Sequence, residues 1–230
     1  EAVDHVDSVI WYDSIADISI PMDILPDKIK DAFNTDHSTV MAVFFDTSTS
    51  ADETMEAINP DVTVKTYREF VTSENVMGLI KDYDFIIDGT DNFPAKFLIN
   101  DACVMAGKPF SHAGIIRFKG QLMTYVPGEG PCYRCVFKNP PPKDAVPTCK
   151  QAGVIGAMGG VIGSLQAMEA IKYIIGKGDL LTGRLLTYDA LKMEFHTIKL
   201  PKDHHCAICG DNPTIHELID YEQAECDMHK

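Results

Sequence analysis

Short apolar runs alternate along the chain with stretches of helical period. SVIWY (Ser8 to Tyr12) predicts a strand ending at Asp13, and Pro26 to Phe33 a short helix with its proline in the first turn, where the missing N–H is harmless. TVMAVFF (Thr39 to Phe45) is rich in β-branched and aromatic residues and predicts a buried strand. Ala51 to Ile58 predicts a helix stopped by Asn59-Pro60, and Val62 to Tyr67 alternates as a strand does. Ser73 to Lys81 predicts a helix capped by Ser73, and Asp84 to Asp88 a buried strand. Pro94 to Ala106 predicts a helix, Pro109 to Ala113 another strand, and Phe118 to Val126 a hairpin-like excursion turning at GEGP. Gly153 to Ile175 is apolar and punctuated by Gly156, Gly159, Gly160 and Gly163, which predicts a buried helix that packs closely or lies at a subunit interface. Arg184 to Asp189 and Phe195 to Leu200 close the chain as strands. Strands alternating with helices, then antiparallel strands, predict an α/β fold built on a mixed sheet flanked by helices. No internal repeat interrupts this pattern, and the length allows one large domain or two small ones.

Composition narrows the class. Of the 230 residues, 45% are hydrophobic, as in an ordinary globular protein. The formal charge is −14, the wrong sign for a protein that tracks a nucleic-acid backbone. The longest apolar run falls short of the roughly 20 residues a membrane span needs. The opening EAVDHVDSVIWYD has neither the basic start nor the apolar core of a signal peptide, so a cytoplasmic location is the expectation.

Seven cysteines change the picture further. Cys132 and Cys135 form PCYRCV; Cys206 and Cys209 form HCAICG. Paired C-x-x-C motifs in a chain without a secretory signal read as metal ligands, because two thiolates of each pair converge on one ion and two pairs complete a tetrahedron for Zn²⁺. The alternative is two independent redox or incidental motifs. His204 and His205 are expected to be exposed neighbours, Cys103 a buried core thiol and Cys226 an incidental thiol of the acidic tail. Cys149 follows the proline-rich KNPPPKDAVPT, an expected loop, and is flanked by Lys143 and Lys150. It is either an unimportant surface thiol or a nucleophile whose thiolate those cations stabilise.

The strand end at Asp88, Asp91 and Asn92 poses a similar choice. It is a bland turn, or a nucleotide and metal site, since α/β proteins bind ligands at the carboxyl ends of their strands.

DGTDNFPAKFLINDAC, FKGQL, PCYRC, PTCKQAGVIGAMGGVIGSLQAMEAIK, LLTYDAL and CAICG occur in the order found in the ThiF/MoeB/HesA family, the bacterial relatives of ubiquitin-activating enzymes. The resemblance runs from about Met55 to Tyr221, and its pattern sits nearest to bacterial ThiF. It implies a single domain over residues 1–230, a Rossmann-like fold and a homodimer that uses ATP and Mg²⁺ to adenylylate the C-terminal glycine of a ubiquitin-like sulfur carrier, in the thiamine or molybdopterin pathway. It also implies a structural zinc held by Cys132, Cys135, Cys206 and Cys209, and a sulfur-donor protein as a further partner. By resemblance Asp91 is the magnesium-associated aspartate, Asn92 its neighbour in the nucleotide pocket, and Cys149 the crossover-loop cysteine of covalent carrier chemistry. The KNPPPKDAVPTC loop leans towards the thiamine branch.

Residues 1–54 depart from that family pattern, and 222–230 read as a tail. No glycine precedes Gly78 and no arginine precedes Arg68, so the family's glycine-rich phosphate turn, arginines and lysine have no counterparts. Asp13 and Asp17, in DSIADIS, faintly resemble the ribose-binding segment, with Asp13 the candidate acid. The segment is a divergent version that has lost the chemistry, a pocket that binds nucleotide by another route, or less than the native N-terminus. The alternative function is therefore a carrier-binding or dimerisation module without an ATP phosphate cradle.

Overall fold

The computed structural model describes residues 65, 67, 69–141 and 153–221. These fall almost wholly within the compact unit Glu69–Lys230. The elements expected before residue 65, together with Asp13, Cys149 and Cys226, lie outside the described residues.

Five strands form one sheet in the order β1 to β5: β1 (Ile86–Asp88), β2 (Phe110–Ile116), β3 (Lys119–Tyr125), β4 (Arg184–Asp189) and β5 (Glu194–Lys199). β1 pairs parallel with β2, bringing Asp88 beside His112, and each later pairing is antiparallel. The mixed α/β sheet expected from the sequence is thus present. Four helices accompany it among the described residues: α1 (Val76–Ile80), α2 (Phe93–Ala106), α3 (Tyr133–Val136) and α4 (Gly156–Ile175).

Alternation along the strands sorts side chains to two faces. Phe110 and Met123 join a core with Phe97, Leu98 and Ala102 of α2, while Ala113 and Leu122 join Met158 and Ile162 of α4. Helices therefore cover both faces. Gly120 lets α4 approach β3 closely: a Cβ there would lie 2.5 Å from Ile162 Cδ1.

The boundaries of α2 follow from its sequence. Asn92 caps it by accepting from the Ala95 amide at 2.8 Å, Pro94 sits in the first turn, and Gly107 ends it in the left-handed region at φ 62°. Three other expectations need correcting. Helix α1 is shorter than Ser73 to Lys81, and Asn75, not Ser73, stands at its N-cap position. The Ser73 hydroxyl donates instead to Asp220 at 2.9 Å. The hairpin turns at Arg117 and Phe118, where Arg117 itself adopts φ 51°, and GEGP leads from β3 towards Cys132.

The third correction concerns how α4 packs within the chain: it is buried along one stripe only, and the expected subunit-interface alternative is left standing. Its inward stripe is Met158, Ile162, Gln166, Glu169 and Ala170, while Gly156, Gly159, Gly160 and Gly163 are exposed. The inversion has a cause. Gln166 Nε2 donates to the carbonyls of Asp88 and Ser111 at 3.0 and 3.1 Å, and Glu169 accepts from Thr124 Oγ1 and the Leu181 amide, each at 2.7 Å. Polar heads that satisfy sheet carbonyls, a sheet hydroxyl and the amide of Leu181 belong inside.

Candidate functional site

Two polar centres stand out, one closed and one open.

The closed centre gathers Cys132 and Cys135, at the start and within α3, with Cys206 and Cys209 from beyond β5. Their sulfurs lie within 4.8 Å of one another, and among the described residues these are the one such group able to hold a metal. Cys132 Sγ is 4.0 Å from Cys135 Sγ and 3.6 Å from Cys206 Sγ, and Cys135 Sγ is 3.4 Å from Cys209 Sγ. Four sulfurs bound tetrahedrally at about 2.3 Å to one Zn²⁺ would stand about 3.8 Å apart, so the donor set and its spacing fit that ion. Hydrogen bonds among the thiols, first to Cys135, push the Cys132 thiol up, whereas hydrogen bonds led by Cys132 pull Cys206 down. A divalent cation would relieve that competition for protons by holding every sulfur as thiolate.

The backbone is shaped for the cluster. A Cβ on Gly210 would lie 2.5 Å from Cys206 O and 2.7 Å from both Cys206 N and His204 O, so only glycine fits this knuckle. The Gly210 amide closes it by donating to Cys206 O at 3.0 Å. Behind the first pair, the Tyr133 amide donates to Asn100 Oδ1 at 2.8 Å. Arg134 grips Asp101 with two bonds of 2.7 Å, and its guanidinium lies over the Phe97 ring at 4.7 Å. The C-x-x-C turn is thereby fastened to α2. His204 and His205 are exposed, as expected of neighbours, and Cys103 is fully buried, as expected of a core thiol.

The open centre is the carboxyl end of β1. Asp91 is exposed and Asn92 partly buried. Asn92 spends its side-chain oxygen on the cap of α2, and its Nδ2 lies 3.4 Å from Asp91 Oδ1. The two are therefore neighbours at the start of a 14-residue helix, whose unpaired amides favour negative charge. Asp13 and Cys149 lie outside the described residues, so neither is placed beside them.

Beneath this turn Asp88 is joined by Lys96 and His112, two partners that sequence reasoning missed. Asp88, 1% exposed, accepts from the Thr90 amide and hydroxyl at 2.9 and 2.6 Å, from Lys96 Nζ at 3.2 Å and from His112 Nδ1 at 2.8 Å. Burial pushes the Asp88 carboxyl up, but the Lys96 charge and the His112 and Thr90 hydrogen bonds outweigh it and hold it well below the usual carboxylate range. For His112 burial dominates and lowers its basicity from 6.5, against the pull of the Asp88 hydrogen bond. The neutral ring donates from Nδ1, while Nε2 is buried with no partner among the described residues. Lys96 carried a sequence signal: a cation in FPAKFLI, the otherwise apolar first half of a buried helix.

Comparison with known proteins identifies the family and the fold. Residues 46–208 match the ThiF family. The sulfur carrier protein adenylyltransferase of Thermus thermophilus is 45% identical over 177 residues, 75% of this chain and 65% of that protein. The adenylyltransferase and sulfurtransferase MOCS3 of Aedes aegypti is 45% identical over 74% of this chain and 39% of its own length. The chain thus spans less than two thirds of each of these relatives. Among solved structures, E. coli MccB with AMPCPP and MccA superposes with a TM-score of 0.59 at 18% identity, over 69% of this chain and 49% of that one, which supports the fold alone.

Proposed function

The chain belongs to the ThiF family, and from that membership we propose that it adenylylates the C-terminal glycine of a ubiquitin-like sulfur carrier protein. The observation that carries the reading is the 45% identity to a sulfur carrier protein adenylyltransferase over 177 residues. In the reaction a carboxylate oxygen of the carrier attacks the α-phosphorus of ATP. The bond from that phosphorus to the bridging oxygen breaks, pyrophosphate leaves, and the carrier ends as an acyl adenylate.

Such a displacement needs alignment and charge neutralisation more than a protein nucleophile. Asp91, three residues beyond Asp88 at the end of β1, would be the carboxylate that holds Mg²⁺, an ion that favours one or two carboxylates together with phosphate and water oxygens. When bound with ATP, magnesium would neutralise phosphate charge. The start of α2 adds a site favourable to anions, with Asn92 fixing its first turn. The four-cysteine cluster takes no part in the chemistry in this reading; it holds α3 and the segment after β5 together. Cys149 acts after adenylation, its thiolate attacking the acyl carbonyl so that a thioester forms and AMP leaves. Cys149→Ser should retain pyrophosphate exchange and lose a thiol-labile carrier adduct in intact-mass analysis. Pairing into a homodimer and a sulfur-donor partner complete the reading. The names of the relatives do not single out the thiamine branch, so the proposal stops at the sulfur carrier.

One observation favours a second reading. The family match begins at residue 46, and no glycine precedes Gly78 nor any arginine Arg68. Without those phosphate contacts the chain would bind a carrier without activating it. ATP–pyrophosphate exchange with a diglycine-ending carrier separates the two: exchange supports the enzyme, and carrier binding without exchange supports the module.

A further inference from the structure

A carboxylate on an exposed turn serves a metal–nucleotide only if the turn is held. Asp91 lies between two fixed points. On its far side, Asn92 is tied to the first turn of α2 through the Ala95 amide at 2.8 Å. On its near side is Asp88, and every acceptor of that residue is engaged. Its Oδ1 takes both hydrogen bonds of Thr90, the residue directly before Asp91, at 2.9 and 2.6 Å. Its Oδ2 takes Lys96 Nζ at 3.2 Å and His112 Nδ1 at 2.8 Å. Its carbonyl takes Gln166 Nε2 at 3.0 Å. The turn is thereby referenced to α2 through Lys96, to β2 through His112 and to α4 through Gln166. Lys96 also donates to Ala113 O at 2.7 Å, which fixes the ammonium independently of Asp88. His112 in turn packs against Tyr133 in a tilted contact with ring centroids 4.2 Å apart, which gives the imidazole a second support besides Asp88.

The chemistry of this cluster is informative. Burying a strand end requires only apolar residues, and a buried ion pair is a poor source of stability compared with them. What such a group supplies is a unique geometry, because a carboxylate with four donors has one place to be. The cluster lies under the carboxyl end of β1, the position at which open α/β sheets bind their ligands.

We propose that Asp88, held by Lys96 and His112, is a positioning residue that fixes the turn through Thr90 and so presets the Asp91 carboxylate for the metal–nucleotide. The role in catalysis rests on the adenylylation reading above; the hold on the turn does not, and the two are tested separately.

The experiment uses the full metal-loaded chain in four forms: wild type, Asp88→Asn, Thr90→Val and Lys96→Arg. Hydrogen–deuterium exchange on peptides covering residues 89–95 reads the turn. Magnesium-dependent pyrophosphate exchange reads the chemistry. Asp88→Asn and Thr90→Val should speed amide exchange in that peptide. They should lower kcat by about ten- to a hundredfold, raise the magnesium needed for half-activity, and leave KM for the carrier unchanged. Lys96→Arg puts a bulkier cation into the buried slot beside Asp88 and Ala113 O, so it should loosen the turn less than Asp88→Asn but in the same direction on both readouts. Thr90→Val decides the matter if Asp88→Asn does not fold, since it removes one surface-side hydroxyl and leaves the buried ions paired. Unchanged amide exchange and unchanged magnesium dependence in folded variants would overturn the proposal. A wild-type chain without pyrophosphate exchange, whose 89–95 peptide still loosens in the variants, would uphold the hold on the turn and overturn the adenylylation reading.

Discussion

The cysteine knuckle and the end of β1 solve opposite problems with neighbouring pieces of one fold. The knuckle is self-sufficient: four sulfurs from two distant segments converge within 4.8 Å, and Arg134, Asp101 and Asn100 satisfy the polar groups behind them. The β1 end presents an exposed Asp91 on a tightly held turn, with the firm contacts beneath it in Asp88, Lys96 and His112. A closed site stabilises; an open one waits for a ligand. Residues that strengthen the first should change stability and spare catalysis, and residues that expose the second should do the reverse.

The sharpest break falls on the knuckle. Structural zinc in small folds contributes on the order of 10 kcal/mol of apparent folding free energy, comparable to the whole stability of a domain. Cys206→Ser should therefore bind well under one metal per chain and lose its cooperative thermal transition, as read by metal analysis and calorimetry. Next comes the support behind it. Arg134→Met removes the cation from the buried Asp101 carboxylate, leaving Asn100 Nδ2 and the Tyr221 hydroxyl as its donors, and breaking a buried pair costs about 3–5 kcal/mol. The melting temperature should fall by roughly 10 °C, with pyrophosphate exchange per folded molecule unaltered at room temperature.

Asp91→Ala should show the mirror image: an unchanged melting temperature and metal content, with exchange lowered about a hundred- to a thousandfold. Unaltered activity there would reduce Asp91 to a turn residue. The smallest effect concerns pH. His112 is held neutral in the fold with its basicity lowered from 6.5, so below about 6.5 the unfolded chain takes up more protons than the folded one. Stability from this residue is complete above that pH and declines on acidification, by at most about 1.4 kcal/mol per unit. Asp88, also lowered, adds its own loss only as the pH passes below its unfolded value of 3.8. Denaturation between pH 7.5 and 5.5 should show the decline for wild type and a flatter profile for His112→Gln, both with metal retained.

How much of this was legible in the sequence depended on how local the signals were. Helix α2 announces itself through Asn92, Pro94 and Gly107, and the structure places its ends within one residue of the reading. The cysteine pairs were legible because soft ligands at C-x-x-C spacing have few other uses. The hairpin turn was not, because Arg117 takes a positive φ that no glycine marks. Helix α4 misled because its small apolar residues face outward while Gln166 and Glu169 bond to the sheet inside. The hold on Asp88 joins residues eight and twenty-four positions away, which no local pattern connects.

One assay decides whether the open site is a working one. The metal-loaded chain, with millimolar Mg²⁺–ATP and a sulfur carrier ending in diglycine, should exchange labelled pyrophosphate into ATP. The exchange should require the carrier's terminal glycine and should collapse in Asp91→Ala. A carrier that binds the chain while exchange stays at the level of the carrier-free blank would contradict it, and would leave a ThiF fold that recognises its partner without activating it.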